Sequence, residues 1–176
     1  MPGPCLVITA VGPDRPGLVK EVSQRILAAA ANLEDTRMAI LGGEFALLLL
    51  VTGEAAALER VRAAAPEIEQ SLGLKLVVKD TEKPSTAQQY LPYRLRVSGV
   101  DHPGIVHVVS EILSRHSVNV ATLESRLHYA PLSGTPMFVL DAEVQVPSRV
   151  VTRELRKELD GVCEADNLDF VLEARA

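Results

Sequence analysis

Along the first half of the chain the hydrophobic pattern alternates between strand-like and helix-like periods. Cys5 to Val11 is apolar and β-prone and stops at Gly12-Pro13, which predicts a strand. After the turn Asp14-Arg15-Pro16-Gly17, the residues Leu18, Val19, Val22 and Ile26 recur at three- and four-residue spacing among Lys20, Glu21, Gln24 and Arg25. That spacing predicts an amphipathic helix running to about Ala31, with Asn32 as its left-handed C-terminal cap. A strand to Leu41, the turn Gly42-Gly43 and a strand from Glu44 to Thr52 make a hairpin. Glu54 to Leu72 reads as a second helix with Leu58, Val61, Ile68 and Leu72 inward, kinked or restarted at Pro66. Leu74 to Lys79 alternates as the last strand.

This order, β-α-β-β-α-β, then recurs: strand Tyr93–Val100, helix Gly104–Ser117, strands Val118–Tyr129 and Pro136–Val146, helix Ser148–Val162, strand Leu168–Ala174. The phrase Gly12-Pro13-Asp14-Arg15-Pro16-Gly17 returns as Gly99-Val100-Asp101-His102-Pro103-Gly104, an offset of 87. At the same offset Val19 falls on Val106, Val22 on Val109, Ser23 on Ser110, Asn32 on Asn119 and Leu33 on Val120. A gapless self-match of this length marks a duplicated unit. The predicted fold class is therefore α+β, two tandem ferredoxin-like units with antiparallel sheets and helices on one face. The boundaries read 1–81 for the first domain, 82–92 for a polar, proline-bearing linker and 93–176 for the second.

The repeats differ on their sheets. Phe138, Leu140, Ala142 and Val144 alternate with Val139, Asp141, Glu143 and Gln145, as a strand with one wet face should. The matching run Phe45 to Val51 is apolar on both faces. The sheet face away from the helices is then covered by the second unit or by another chain, giving a homo-oligomer, or the strand is simply tolerated beneath neighbouring side chains.

Composition narrows the function classes. The net charge is −5 and both halves are acidic, so neither carries the positive footprint that grips a phosphate backbone. Direct nucleic-acid binding is not expected, and the basic residues Arg149, Arg153, Arg156 and Lys157 read as a solvated face. Cys5 and Cys163 sit at non-corresponding positions, which fits neither a disulfide framework nor a metal site, and both read as core. His107 and His116 are nine residues apart, opposite faces of a helix, so no metal is expected. No secretory signal or membrane span is read, which makes the cytoplasm the expected location. No catalytic Ser-His-Asp or Cys-His arrangement and no phosphate-cradling loop is found, so neither an enzyme nor a cofactor is expected.

The duplicated turn is the candidate site. Pro16 and Pro103 preset the first helical turn, and Gly17 and Gly104 let a ligand approach backbone N–H groups at the positive end of the helix. A carboxylate is the natural guest there. Asp14 and Asp101 add a negative charge suited to an ammonium, and Asn32 and Asn119 offer a donor and an acceptor. A purely structural reading stands beside this one: Asp caps the helix, Pro and Gly shape the turn, and Asn ends the helix.

The pattern Asp14-Arg15-Pro16-Gly17-Leu18-Val19, an amphipathic helix, Ala31-Asn32-Leu33 and a hairpin resembles the ACT domain, an amino-acid-binding regulatory module. The stretches from Val7 to Gly17 and from Asn32 to Phe45 resemble the glycine cleavage system transcriptional repressor family. The resemblance implies regulation without catalysis, with a small amino acid such as glycine as ligand and a protein partner, for instance a transcription factor. A free-standing subunit giving amino-acid feedback to a metabolic enzyme is the alternative. It also implies ligand sites at domain interfaces, grouping Asp14, Arg15, Pro16 and Gly17 with Asn119 and Val120, and Asp101, His102, Pro103 and Gly104 with Asn32 and Leu33. Arg15 against His102 is the departure between the copies, so the two sites need not be equivalent.

Overall fold

The structure, a computed structural model, describes residues 4–82 and 90–175. The chain divides into two units, Met1–Pro84 and Ser85–Ala176. The first holds β1 (Cys5–Pro13), α1 (Leu18–Ala28), β2 (Asn32–Leu41), β3 (Glu44–Thr52), α2 (Ala55–Leu72) and β4 (Lys75–Thr81). The second holds β5 (Tyr90–Val100), α3 (Ile105–Arg115), β6 (Asn119–Tyr129), β7 (Pro136–Pro147), α4 (Thr152–Ala165) and β8 (Leu168–Ala174). Both sheets are antiparallel, ordered β2-β3-β1-β4 and β6-β7-β5-β8. This is the ferredoxin-like arrangement expected twice over.

Strand alternation builds each core. Leu6, Ile8 and Ala10 of β1 point to the same side as Phe45, Leu47, Leu49 and Val51 of β3, and all are buried. They meet Leu18, Val22 and Ile26 of α1 and Leu58, Val61 and Ile68 of α2 in one cluster. The second unit repeats this with Leu95, Val97, Leu140 and Val144 beneath Val109, Ile112, Leu155 and Leu159. Both cysteines are core residues, as read from the sequence: Cys5 Sγ donates to the Thr81 carbonyl at 3.0 Å, and burial pushes the Cys163 thiol up to about 11.

Several local readings need correction. α1 stops at Ala28, and the left-handed residue behind it is Ala30, φ 56°, with Ser117, φ 55°, at the matching place in the second unit. Asn32 and Asn119 therefore do not cap helices; each opens an edge strand. The chain turns two residues earlier than expected because the carbonyls of Ile26 and Leu113 accept the N–H groups of Ala31 and Val118, closing the helix ends there. α2 runs unbroken through Pro66 instead of restarting. Of the expected linker, residues 83–89 lie outside the described residues, whereas Tyr90–Pro92 already belong to β5, paired with Pro147, Val146 and Gln145. A proline is tolerated at this strand end because the β8 ladder starts only at Tyr93.

Gly12 and Gly99, first residues of the repeated phrase, serve packing. A Cβ on Gly12 would lie 2.7 Å from the Gly73 carbonyl oxygen, and one on Gly99 would lie 2.6 Å from Leu168 Cδ2 and 2.9 Å from the Asn167 oxygen. In both units the turn from the second helix into the last strand presses against the end of the central strand at that point, and only a glycine leaves room.

The faces away from the helices diverge. Val7, Leu48 and Leu50 line the open face of the first sheet; the same register positions of the second carry Arg94, Asp141 and Glu143. Among the described residues no helix of the first unit packs on its apolar face, and Val11, Leu48 and Val77 keep 43%, 45% and 66% of their surface. On the second sheet the Asp141 carboxylate accepts from Arg94 at 2.6 and 2.9 Å and from Arg96 at 2.7 and 3.1 Å. Hydrogen bonds from Arg94, then those from Arg96, hold its pKa down to about 2.

Two outcomes follow from this packing. Gly12→Ala is expected to lower the unfolding free energy of its unit by about 1–3 kcal/mol. Gly161→Ala, in α4 with nothing within 4 Å of the new carbon, should raise it by about 0.5–1 kcal/mol. Denaturant titration of both variants checks the pair, and equal effects would refute the packing role of Gly12. Asp141→Asn should cost about 1–2 kcal/mol at pH 7, since the carboxylate is 28% exposed and its pairs are partly screened. Because the folded pKa is depressed, that stability is present above an unfolded carboxylate value of about 4 and disappears as the pH falls through about 2. Unfolding of wild type and variant should converge over that window, and a pH-independent gap would contradict the assignment.

Candidate functional site

The loop between the central strand and the first helix is built alike in both units. Asp14 N–H donates to the Gly43 carbonyl at 3.0 Å, and Asp101 N–H donates to that of Pro136 at 2.9 Å, so each loop is tied to the start of the neighbouring strand. Pro16 and Pro103 then occupy a turn ahead of the helix rather than its first turn, which corrects the expectation from sequence. Gly17 (φ 95°, ψ −9°) and Gly104 (φ 103°, ψ −11°) follow in left-handed conformations. Proline before such a glycine is the central pair of a type II turn. The glycines stand at the N-cap, and their carbonyls accept the N–H groups of Glu21 and Val108 at 2.9 and 3.0 Å.

Neither helix has a side-chain cap. The capping role open to Asp14 and Asp101 is thus not taken up, and neither carboxylate has a hydrogen-bond or ion-pair partner among the described residues. Each unit presents an exposed aspartate close in sequence to a helix start whose N–H groups lack side-chain acceptors. The surroundings are open: a Cβ on Gly104 would meet nothing within 4 Å, and one on Gly17 only Glu21 Oε1 at 3.5 Å. Anion acceptor and cation acceptor lie within one loop, which suits a zwitterion.

The second loop position separates the copies. Arg15 makes a two-pronged ion pair with Glu21, at 2.8 and 2.9 Å, on the surface. That contact raises the guanidinium pKa and lowers that of the carboxyl. The positions 87 residues on are His102 and Val108, which cannot form such a pair. His102 Nδ1 lies 3.2 Å from the Pro103 carbonyl, which only accepts, so Nδ1 carries the proton. Its Nε2 is sealed from solvent without a partner among the described residues.

Within each unit the asparagines lie far from the loop. Asn32 pairs with Thr52, which pairs with Cys5 at the start of β1, whereas the loop leaves β1 beyond Pro13. At about 3.3 Å per residue, that places them at opposite ends of the sheet. Asn119 Nδ2 donates to Gln145 Oε1 at 2.8 Å, its neighbour in register. Leu33 and Val120 are half-buried against their cores, turned inward by bulges at Glu34 and Ala121 that occupy the same repeat position. Sequence reading missed Glu21, since a six-residue separation from Arg15 matches no standard helical pairing. Among the described residues no group of three or more His, Cys, Asp or Glu side chains is placed to hold a metal ion. No described helix is long and apolar enough to cross a membrane.

Residues 5–79 match the family model of the ACT domain. Over 158 residues, 90% of this chain and 83% of the relative, the chain is 26% identical to the glycine cleavage system transcriptional repressor of Escherichia coli K12. A UPF0237 protein of Methanopyrus kandleri is 31% identical over 75 residues, 42% of this chain and 83% of that protein. Among solved structures, an unknown protein from Galdieria sulphuraria superposes with a TM-score of 0.86 at 29% identity, covering 98% of both chains. A protein provisionally described as a glycine cleavage system transcriptional repressor superposes with a TM-score of 0.73 at 28% identity, over 98% of this chain and 97% of its own. Residues 5–79 thus form an ACT domain, the second unit repeats its strand order and pairing, and the chain is similar along nearly its whole length to the glycine cleavage system transcriptional repressor.

Proposed function

We propose that this chain is a non-enzymatic, amino-acid-responsive regulator that binds a small amino acid, glycine first among the candidates, at its strand-to-helix loops. The observation that carries the reading is the unpaired aspartate beside an uncapped helix start, present once in each unit. The amino-acid carboxylate is received by the N–H groups following Gly17 or Gly104, and its ammonium by Asp14 or Asp101. In the first unit Arg15 is already engaged by Glu21, so the loop offers no free cation to a ligand side chain, which favours a ligand without one. Similarity to the Escherichia coli repressor supports transcription of glycine cleavage functions as the process controlled. The acidic balance supports control through a protein partner in the cytoplasm in place of direct contact with DNA. The protein works as a homo-oligomer.

Thermal unfolding of the full chain across a panel of amino acids tests the ligand. A ligand at about 100 times its Kd stabilises its unit by about 2.7 kcal/mol. That amounts to a shift in Tm of well over about 5 °C for a domain of this size. Asp14→Asn and Asp101→Asn together remove the charge facing the ammonium and should weaken binding by about ten- to a hundredfold while leaving the fold intact. Absence of any shift up to about ten millimolar of every amino acid, judged against that linkage relation, would sink the reading.

A further inference from the structure

The open face of the first sheet has the anatomy of an interface: an apolar centre and a charged rim. One row of paired residues crosses it from β2 to β4 as Asp35, Leu50, Val7 and Lys79. The next row runs Arg37, Leu48, Thr9 and Val77, with Thr9 as the one polar residue between the two apolar ones. The second unit, with the same strand order, carries Asp141 where Leu48 stands, and ion pairs fill its centre. The apolar centre is therefore particular to the first unit and is not imposed by the fold.

We propose that this face is where a second copy of the chain docks, the open face of the first unit lying on its own counterpart. The charges choose the arrangement. A two-fold axis running along the strands, between β3 and β1, lays β2 over the copy's β4, row upon row. Asp35, which also pairs with Arg37 of its own strand at 3.3 Å, then meets the copy's Lys79, Leu50 meets Val7, Leu48 meets Thr9 and Arg37 falls over Val77, so that no like charges face each other. An axis across the strands instead lays β4 over β4 and brings Lys75 against Lys79. The first arrangement buries the apolar centre and pairs Asp35 with Lys79; the second buries the centre against repulsion. Docking at this face is independent of whether an amino acid is bound.

Sedimentation velocity of the full chain, from about one to a few hundred micromolar, reads the result. Wild type is expected at twice the 19.0 kDa chain mass. Leu48→Asp, which installs the side chain the second unit carries at that position, should sediment at the single-chain mass with an unchanged circular dichroism spectrum. Asp35→Lys should weaken association by about tenfold or more, and adding Lys79→Asp to it should restore the wild-type constant. The charge-swap pair decides the question even where Leu48→Asp disturbs folding. A monomeric wild type, a dimer untouched by Leu48→Asp, or a double variant no tighter than Asp35→Lys alone each overturns the proposal.

Discussion

A chain that leaves the central strand of a sheet and returns as a helix across its face must reverse direction in a few residues. In both units the reversal rests on one dihedral angle, the positive φ of Gly17 and Gly104. An L-residue with a side chain would be strained there, although nothing crowds the space above either glycine. The rest of the unit hangs on that turn. It lets Leu18, Val22 and Ile26, or Ile105, Val109 and Ile112, drop onto the strands and close the core. With the glycine at the N-cap, the helix start lacks a side-chain acceptor, and the preceding aspartate keeps its charge free. Fold and candidate binding site are consequences of the same backbone requirement.

The duplication shows which positions the backbone dictates. Gly12 and Gly99, Gly17 and Gly104, the left-handed Ala30 and Ser117, and the bulges at Glu34 and Ala121 all coincide at the repeat offset. At such points geometry leaves few alternatives, so the copies stay alike in form even where the residue type differs. On the open faces no comparable requirement operates. Leu50 and Lys79 lie in register where the other unit has Glu143 and Glu173, and both sheets retain the same order and pairing. One architecture thus supports an apolar surface in one copy and an ion-pair lattice in the other.

Much of this was legible from the order of residues because burial writes a period into the sequence. The alternation in Phe138 to Val146 and the helical spacing of Leu18, Val22 and Ile26 placed strands and helices to within a few residues. The failures share one cause, which is that short-range patterns do not report contacts made at long range. Asn32 looked like a helix cap because Asn tolerates left-handed backbone, yet the turn is closed earlier by bonds to Ile26. Tyr90 to Pro92 looked like linker because their partners lie more than fifty residues further on, at Gln145 to Pro147. Gly12 looked like a strand stop, and its reason for being glycine is the carbonyl of Gly73.

The same limit governs the candidate site. Asp14 and Gly17 were found from sequence because their chemistry and spacing are local. Whether Asp14 was a cap or a free charge was not decidable without the helix start, which shows no side-chain acceptor. Arg15 carried the opposite ambiguity: it read as a ligand-binding cation, and the structure pairs it with Glu21. With Arg15 engaged by Glu21, Asp14 is left as the unpaired charge of the first loop. In the second loop Val108 offers no such partner and His102 donates to Pro103, so Asp101 stands beside an imidazole in place of a closed ion pair. The two loops therefore share one backbone conformation and differ in the charges that surround it. In chemistry the two candidate sites are unequal.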